Sequence, residues 1–224
     1  MAKRTSAGRM KVGIAFLLTF GPALLLIIIA SRGCEHKFKT LDDYGLASNY
    51  SFVDADGKTR NAKEFEGDVV LVTTLQESCP DDCAVSFFHL NQAIYQHIYS
   101  NKRKKLKQVR LISYVTDMEG KPVEDLSTVE NMLRDRVENY DSSLWILANG
   151  NAEAMYDFTN DGQSLLQEGD QYYGGKAFQE LMLLLDKENH LRMVLSGTTE
   201  GMVRRMKEHI ALLQKQYDKQ RTEK

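Results

Sequence analysis

Apolar residues fall along this chain in two patterns, and the spacing tells them apart. Val12 to Ala30 runs without a charge through Phe16-Leu17-Leu18 and Leu24-Leu25-Leu26-Ile27-Ile28-Ile29. At 1.5 Å per residue, about nineteen residues cross the hydrocarbon layer of a bilayer, so the run predicts a membrane helix over 12–31. Gly21-Pro22 within it predicts a kink of the kind membrane spans tolerate. The other apolar runs are short. Val69-Val70-Leu71-Val72-Thr73-Thr74-Leu75 and Val109-Arg110-Leu111-Ile112-Ser113-Tyr114-Val115 are largely apolar on successive positions, as in strands buried on both faces. Tyr50-Ser51-Phe52-Val53 followed by Asp54-Ala55-Asp56-Gly57-Lys58 predicts a strand and a tight turn. Asn61 to Phe65 predicts a short helical turn closed by Gly67.

Helical spacing takes over further along. Phe87, Leu90, Ile94 and Ile98 share one face of a helix expected from about 82 to 100. Ser127-Thr128-Val129-Glu130 has the form of a capping box opening a helix to about Asn139. Ser143-Leu144-Trp145-Ile146-Leu147 reads as another strand, Asn149 to Phe158 as a short helix, and Thr159 to Gly175 as a polar loop. Leu181 to Leu185 and Leu191 to Leu195 flank Asp186-Lys187-Glu188-Asn189-His190, a hairpin signal. Met202, Met206, Ile210 and Leu213 line one face of a last helix, and the charged tail from Lys215 is expected to fray.

Charge gives the apolar run a direction. Lys3, Arg4, Arg9 and Lys11 precede it with no acidic residue among them, which predicts a cytoplasmic N-terminus and an exported remainder. The run is longer than the apolar core of a secretory signal, so a retained single-pass anchor is expected. Ala30-Ser31-Arg32-Gly33-Cys34 resembles a lipoprotein cleavage site in which Arg32 fits poorly. The leader lacks the length and the Arg and Ser richness of a mitochondrial transit peptide, which points to a bacterial inner membrane with the domain in the periplasm. The expected divisions are a cytoplasmic 1–11, the anchor at 12–31, a stalk at 32–48, one domain at 49–215 and a charged tail at 216–224. A net charge of −2 over 224 residues gives no electrostatic footprint for nucleic acid. The basic run Lys102-Arg103-Lys104-Lys105-Leu106-Lys107 suits either acidic headgroups or a solvated helix end.

The chemistry concentrates in Glu77-Ser78-Cys79-Pro80-Asp81-Asp82-Cys83, between a buried-type strand and a helix. The chain has three cysteines, and an odd count with one close pair is not a disulfide scaffold. On a first helical turn, where Pro80 is tolerated, residues four apart share a face. Cys79 and Cys83 could then form a disulfide or grip one soft metal ion.

Strands alternating with helices and closing in a hairpin and helix predict an α/β protein, in the order of the thioredoxin fold with an extra N-terminal strand and an inserted helix. With Phe52 to Lys58, Cys79-Pro80-Asp81-Asp82-Cys83, Ser113 to Asp117 and Trp145 to Gly150, the chain resembles the Sco/SenC family over about residues 48–215. The resemblance implies a thioredoxin-like (peroxiredoxin/Sco-type) three-layer sandwich carried on an N-terminal transmembrane helix. It implies a copper-binding protein that helps load cytochrome c oxidase subunit II, or that acts on another exported, cysteine-containing client. Family members hold copper with the two motif cysteines, here Cys79 and Cys83, and a later histidine; some act instead as thiol–disulfide reductants.

Phe178 stands about where that histidine is expected, so the resemblance is to a divergent member without the usual third ligand. His190 falls in the predicted hairpin turn, His89, His97 and His209 along predicted helices, and His36 on the predicted stalk. Cu(I) accepts two thiolates alone, whereas Cu(II) prefers nitrogen or oxygen donors. Three readings follow: transient Cu(I) binding and delivery, a tethered thiol–disulfide oxidoreductase using Cys79 and Cys83, or an assembly scaffold without metal. Only the second is an enzyme.

Overall fold

The structure, a computed structural model, describes residues 16–27, 40–47, 49–78, 86–102, 109–160, 163–164 and 176–222. The chain forms two units, Met1–Lys39 and Thr40–Lys224. In the first, residues 16–27 are helical. No described helix is long and apolar enough to cross a membrane, and the ends of the predicted span, 12–15 and 28–31, lie outside the described residues.

The second unit is built on strand β3 (Val69–Gln76), every residue of which is buried. It runs parallel to β4 (Val109–Thr116), in register from Val69↔Val109 to Gln76↔Thr116. On its other edge it runs antiparallel to β8 (Leu181–Leu185), with Val72 opposite Leu183. With β1 (Ser51–Asp54), β2 (Thr59–Asn61), β5 (Trp145–Asn149) and β9 (Leu191–Ser196), they form one sheet in the order β2-β1-β5-β4-β3-β8-β9. A separate pair, β6 (Thr159–Asn160) and β7 (Gln163–Ser164), occurs where the sequence predicts only loop.

Strand side chains alternate between faces, and here both faces are covered. Leu71, Leu75, Leu111, Val115 and Trp145 face one core with the helical segments around Leu90, Leu133 and Met206. Val70, Val72, Ile112, Tyr114 and Ile146 face a second core with Phe52, Phe65, Met155, Tyr156 and Phe178. The mixed α/β sheet of the thioredoxin-like class is thus as expected. Thr73, Ser113 and the indole of Trp145 are the polar exception in the first layer. Their Oγ1 and Oγ atoms lie 2.7 Å apart, and Trp145 Nε1 donates to Ser113 Oγ at 2.9 Å.

Helices depart from expectation in identifiable ways. The segment after the cysteines is helical at α1 (Phe87–His89), widens to a π-helix over Leu90–Tyr95 and returns to α in α2 (Gln96–Lys102). Leu90, Ile94 and Tyr95 are all buried there, and Tyr95 packs on Trp145 at 5.5 Å. In α3 (Ser127–Arg136), Ser127 is the first helical residue rather than the cap. The carboxylate of Asp125 takes the capping role, accepting from Ser127 N at 2.9 Å. Only Ala152–Met155 is helical in the region expected to hold a longer helix, because Trp145–Asn149 continues as strand β5; this short helix is α4.

The last helix, α5 (Glu200–Thr222), runs past the point where fraying was expected. Its buried residues are Val203, Met206, Ile210, Leu213 and Tyr217, a three-four-three-four spacing that leaves Met202 exposed. Residues 40–47, expected as the end of a stalk, instead pair along the β8–β9 hairpin. Tyr44 N donates to Leu191 O, Leu191 N to Gly45 O and Ala47 N to Asn189 O, at 2.8–2.9 Å.

Candidate functional site

Strands β3 and β4 end side by side, and Glu77 N extends their pairing by donating to Thr116 O at 3.0 Å. Cys79 and Cys83 follow immediately. With Pro80, Asp81, Asp82, Ala84 and Val85 they lie outside the described residues, as do Cys34, His36 and the basic run from Arg103 to Lys107. The chain reappears at Ser86, whose hydroxyl accepts from His89 N at 3.4 Å and so caps α1. Ser86 N also donates to Gly197 O, tying the start of α1 to the loop ahead of α5. Phe87 turns inward onto Trp145, with ring centres 5.8 Å apart, while Phe88 is exposed.

Opposite the ends of β3 and β4 lies a 3-10 turn, Ala177–Glu180, that leads into β8. Thr74 Oγ1 donates to Gln179 O at 2.6 Å. The Gln179 amide then spans the gap to β4: its Nε2 donates to Thr116 Oγ1 and Asp117 O, both at 2.8 Å, and its Oε1 accepts from Lys176 N at 2.6 Å. Gln179 is fully buried and no polar atom of its side chain is idle. Neither it nor Gln76 is marked by the sequence, apart from being glutamines beside runs of apolar residues.

Phe178, in the same turn, is buried in the second core. Its ring packs on Tyr156 at 5.3 Å and crowds the αL glycine Gly120. The position at which the family resemblance expects a metal-ligating histidine therefore carries an apolar ring held on two sides.

No other described histidine takes that place. His190 Nδ1 lies 2.9 Å from Asp43 Oδ2. It lies in the turn between β8 and β9, just past Leu185, the β8 residue opposite Val70 of β3; Val70 is six residues from Gln76, about 20 Å along the strand. His89 follows the cap of α1, His97 lies on α2 and His209 on α5, all half-buried. Among the described residues no three His, Cys, Asp or Glu side chains come together as a metal site.

Among the described residues, the hydroxyls of Tyr50 and Tyr114 and the side-chain amide of Gln76 are buried without a hydrogen-bond partner. Gln76, last residue of β3, is 2 % exposed, and neither its Oε1 nor its Nε2 meets a hydrogen-bond partner. As to chemistry, thiolate sulfurs at positions 79 and 83 suit a soft monovalent cation or dithiol exchange. Copper as a cargo thus has two soft donors in the sequence, while the buried Phe178 offers no nitrogen for the divalent ion.

A mixed sheet whose central parallel pair leads directly into a cysteine pair ahead of a helix defines a thioredoxin-like α/β protein. No protein-family model and no curated protein matches the chain. Among solved structures it is similar to BsSco, a member of the Sco family of cytochrome c oxidase assembly proteins (TM-score 0.53, 12% identity, 79% of this chain and 98% of that one). It is also similar to a SCO1/SenC family lipoprotein from Bacillus anthracis (TM-score 0.51, 19% identity, 75% and 96%). A third likeness is to a candidate protein disulfide isomerase from Bacteroides thetaiotaomicron (TM-score 0.50, 16% identity, 79% and 95%). The fold is accordingly the thioredoxin-like fold of Sco proteins, spanning nearly the whole of each of these structures.

Proposed function

We propose that this chain is a divergent Sco/SenC-type protein, anchored in a bacterial inner membrane with its domain in the periplasm. In this reading it binds Cu(I) through Cys79 and Cys83 and delivers it during cytochrome c oxidase assembly, with subunit II as the client. The observation that carries the reading is the conjunction of a Sco-type fold with Cys-Pro-Asp-Asp-Cys directly after its central strand. Two thiolates satisfy Cu(I), whereas the apolar Phe178 leaves Cu(II) without a nitrogen donor, so the cargo is the monovalent ion. The reduced exported domain is expected to bind about one Cu(I) per chain and to lose that binding in Cys79→Ser and Cys83→Ser. Equal binding by those variants would remove the copper reading.

The likeness to a candidate disulfide isomerase, together with the missing histidine, favours one alternative: a tethered thiol–disulfide oxidoreductase. Cys79 thiolate attacks a client disulfide and forms a mixed disulfide, releasing one client thiolate. Cys83 thiolate then attacks Cys79 sulfur, leaving the client dithiol and an oxidised Cys79–Cys83 pair that an external dithiol must reduce again. Cys83→Ser blocks the second step, so this reading expects trapped mixed disulfides with exported proteins.

A further inference from the structure

The helical segment from Phe87 to Lys102 changes its winding where the spacing of apolar residues predicts no change. Ser86 O accepts from Leu90 N at 3.0 Å, an α spacing, whereas Asn91 O accepts from Gln96 N, five residues on. The π-helix Leu90–Tyr95 therefore holds about one residue more than an α-helix of as many turns, and what precedes it is rotated by about 100°. In an unbroken α-helix Phe87 and Ile98, about three turns apart, share a face. The extra residue swings Phe87 off that face and onto Trp145, with ring centres 5.8 Å apart, and leaves Phe88 59 % exposed. Without it, Phe88 points in the direction that Phe87 takes here. The chain carries the same side chain at both positions, so the place on Trp145 is filled in either register.

Each register has one misfit. The π form leaves a phenylalanine ring in water, against the hydrophobic effect. It satisfies the buried Asn91, whose Oδ1 accepts from Gln96 Nε2 at 3.1 Å, a pairing five residues apart that an α-helix would turn to different faces. The unbroken α form buries Phe88 but brings Asn91 to the middle of the apolar face. There Leu90 and Ile94 lie on one side of it and Tyr95 and Phe88 on the other. We propose that Phe87–Gln96 is a two-register helix that exchanges between the π-containing form and an unbroken α-helix, Phe88 replacing Phe87 on Trp145. The exchange breaks the bond from Ser86 N to Gly197 O and re-aims the start of α1 by about 100°. A partner surface that grips the exposed Phe88 favours the π form, which couples docking to the direction of α1. Neither copper nor a client thiol takes part in the exchange.

The test is urea unfolding of the intact chain in detergent, with Trp145, its one tryptophan, as the fluorescent reporter. Emptying a buried aromatic place ordinarily lowers the folding constant by more than about a hundredfold. With two registers available, Phe87→Ala is expected to lose less than about tenfold, because Phe88 takes over the place on Trp145. Phe88→Ala, a change at an exposed ring, should lose less than about threefold. The double variant Phe87→Ala/Phe88→Ala should lose more than about a hundredfold, beyond the product of the single effects. A Phe87→Ala chain that loses as much as the double variant, or does not fold, would overturn the proposal. Asn91→Leu supplies a second measurement. It removes the polar misfit of the α form, so Phe88→Ala in that background should cost more than about tenfold. A cost there as small as in the parent chain, or an Asn91→Leu chain that does not fold, would overturn the two-register helix as well.

Discussion

Gly120 and Phe178 decide, between two residues, what the 3-10 turn can be. Gly120 sits at φ 81° in the turn after β4, and a Cβ there would lie 2.9 Å from Phe178 Cζ and 3.2 Å from Lys176 Cγ. Gly120→Ala therefore meets both an αL penalty and a clash with a buried ring already packed on Tyr156. A loss of about 2 kcal/mol or more is expected in urea unfolding, most of it recovered in the double variant Gly120→Ala/Phe178→Leu if the clash is the larger part. Phe178→Ala alone should cost about 3–5 kcal/mol, the range for a buried aromatic ring. The sequence carries the identity of Phe178 at the position where the resemblance wants a histidine. It does not carry the ring's burial, because Tyr156 and Gly120 come to it from 22 and 58 residues away along the chain.

At the scale of elements, what periodicity can encode was legible and what backbone pairing encodes was not. Strands β3 and β4 announce themselves because both faces are buried, and the β8–β9 hairpin because its turn is polar. Residues 40–47 have no such pattern; they attach through main-chain bonds and through Arg192, which donates to the carbonyls of Leu41 and Asp42 and to Asp186 Oδ2. Asp43 joins the clasp, and its carboxyl is held below the usual 3.8, first by the backbone N–H of Gly45 and then by His190. A lowered folded-state pKa means the contribution is present above 3.8 and is lost as pH falls through the lower folded value. Asp43→Asn should thus narrow the gap between urea midpoints measured near neutrality and near pH ~3, by a small amount because the pair is exposed. The end of α5 was likewise hidden, since one tyrosine in a charged tail gives no repeat. Tyr217 is buried, accepts from Lys187 N at 3.3 Å and lies under Lys187 Nζ at 4.7 Å. Ending the chain after Lys215 should cost about 2–3 kcal/mol by loss of that aromatic contact, where a frayed tail would cost nothing measurable.

Across the whole molecule, the sheet separates two jobs. One face holds the large aliphatic core under α1 to α3 and α5; the other holds the aromatic core of Phe52, Phe65, Tyr114, Tyr156 and Phe178. The parallel strands β3 and β4 end at the boundary between the two, which is where open α/β sheets tend to place their ligands. A cysteine pair that follows β3 in the sequence is useful only if something outside keeps it supplied with reductant, metal or client, so the destination of the chain matters as much as its fold. The basic residues before the apolar run and the length of that run argue for a retained anchor. The intact chain is then expected to stay in the membrane fraction through an alkaline carbonate wash, with its N-terminal residues still detectable by mass spectrometry. Protease added to spheroplasts should digest the domain from Thr40 onward and spare residues 1–11. A mature chain that begins at a lipidated Cys34 would keep the same exported domain but replace the anchor, and a domain protected in spheroplasts would place the thiols in the reducing cytoplasm. That last outcome would remove both copper delivery to an exported client and disulfide exchange with one, because each requires the pair to meet its partner outside the cell's reducing interior.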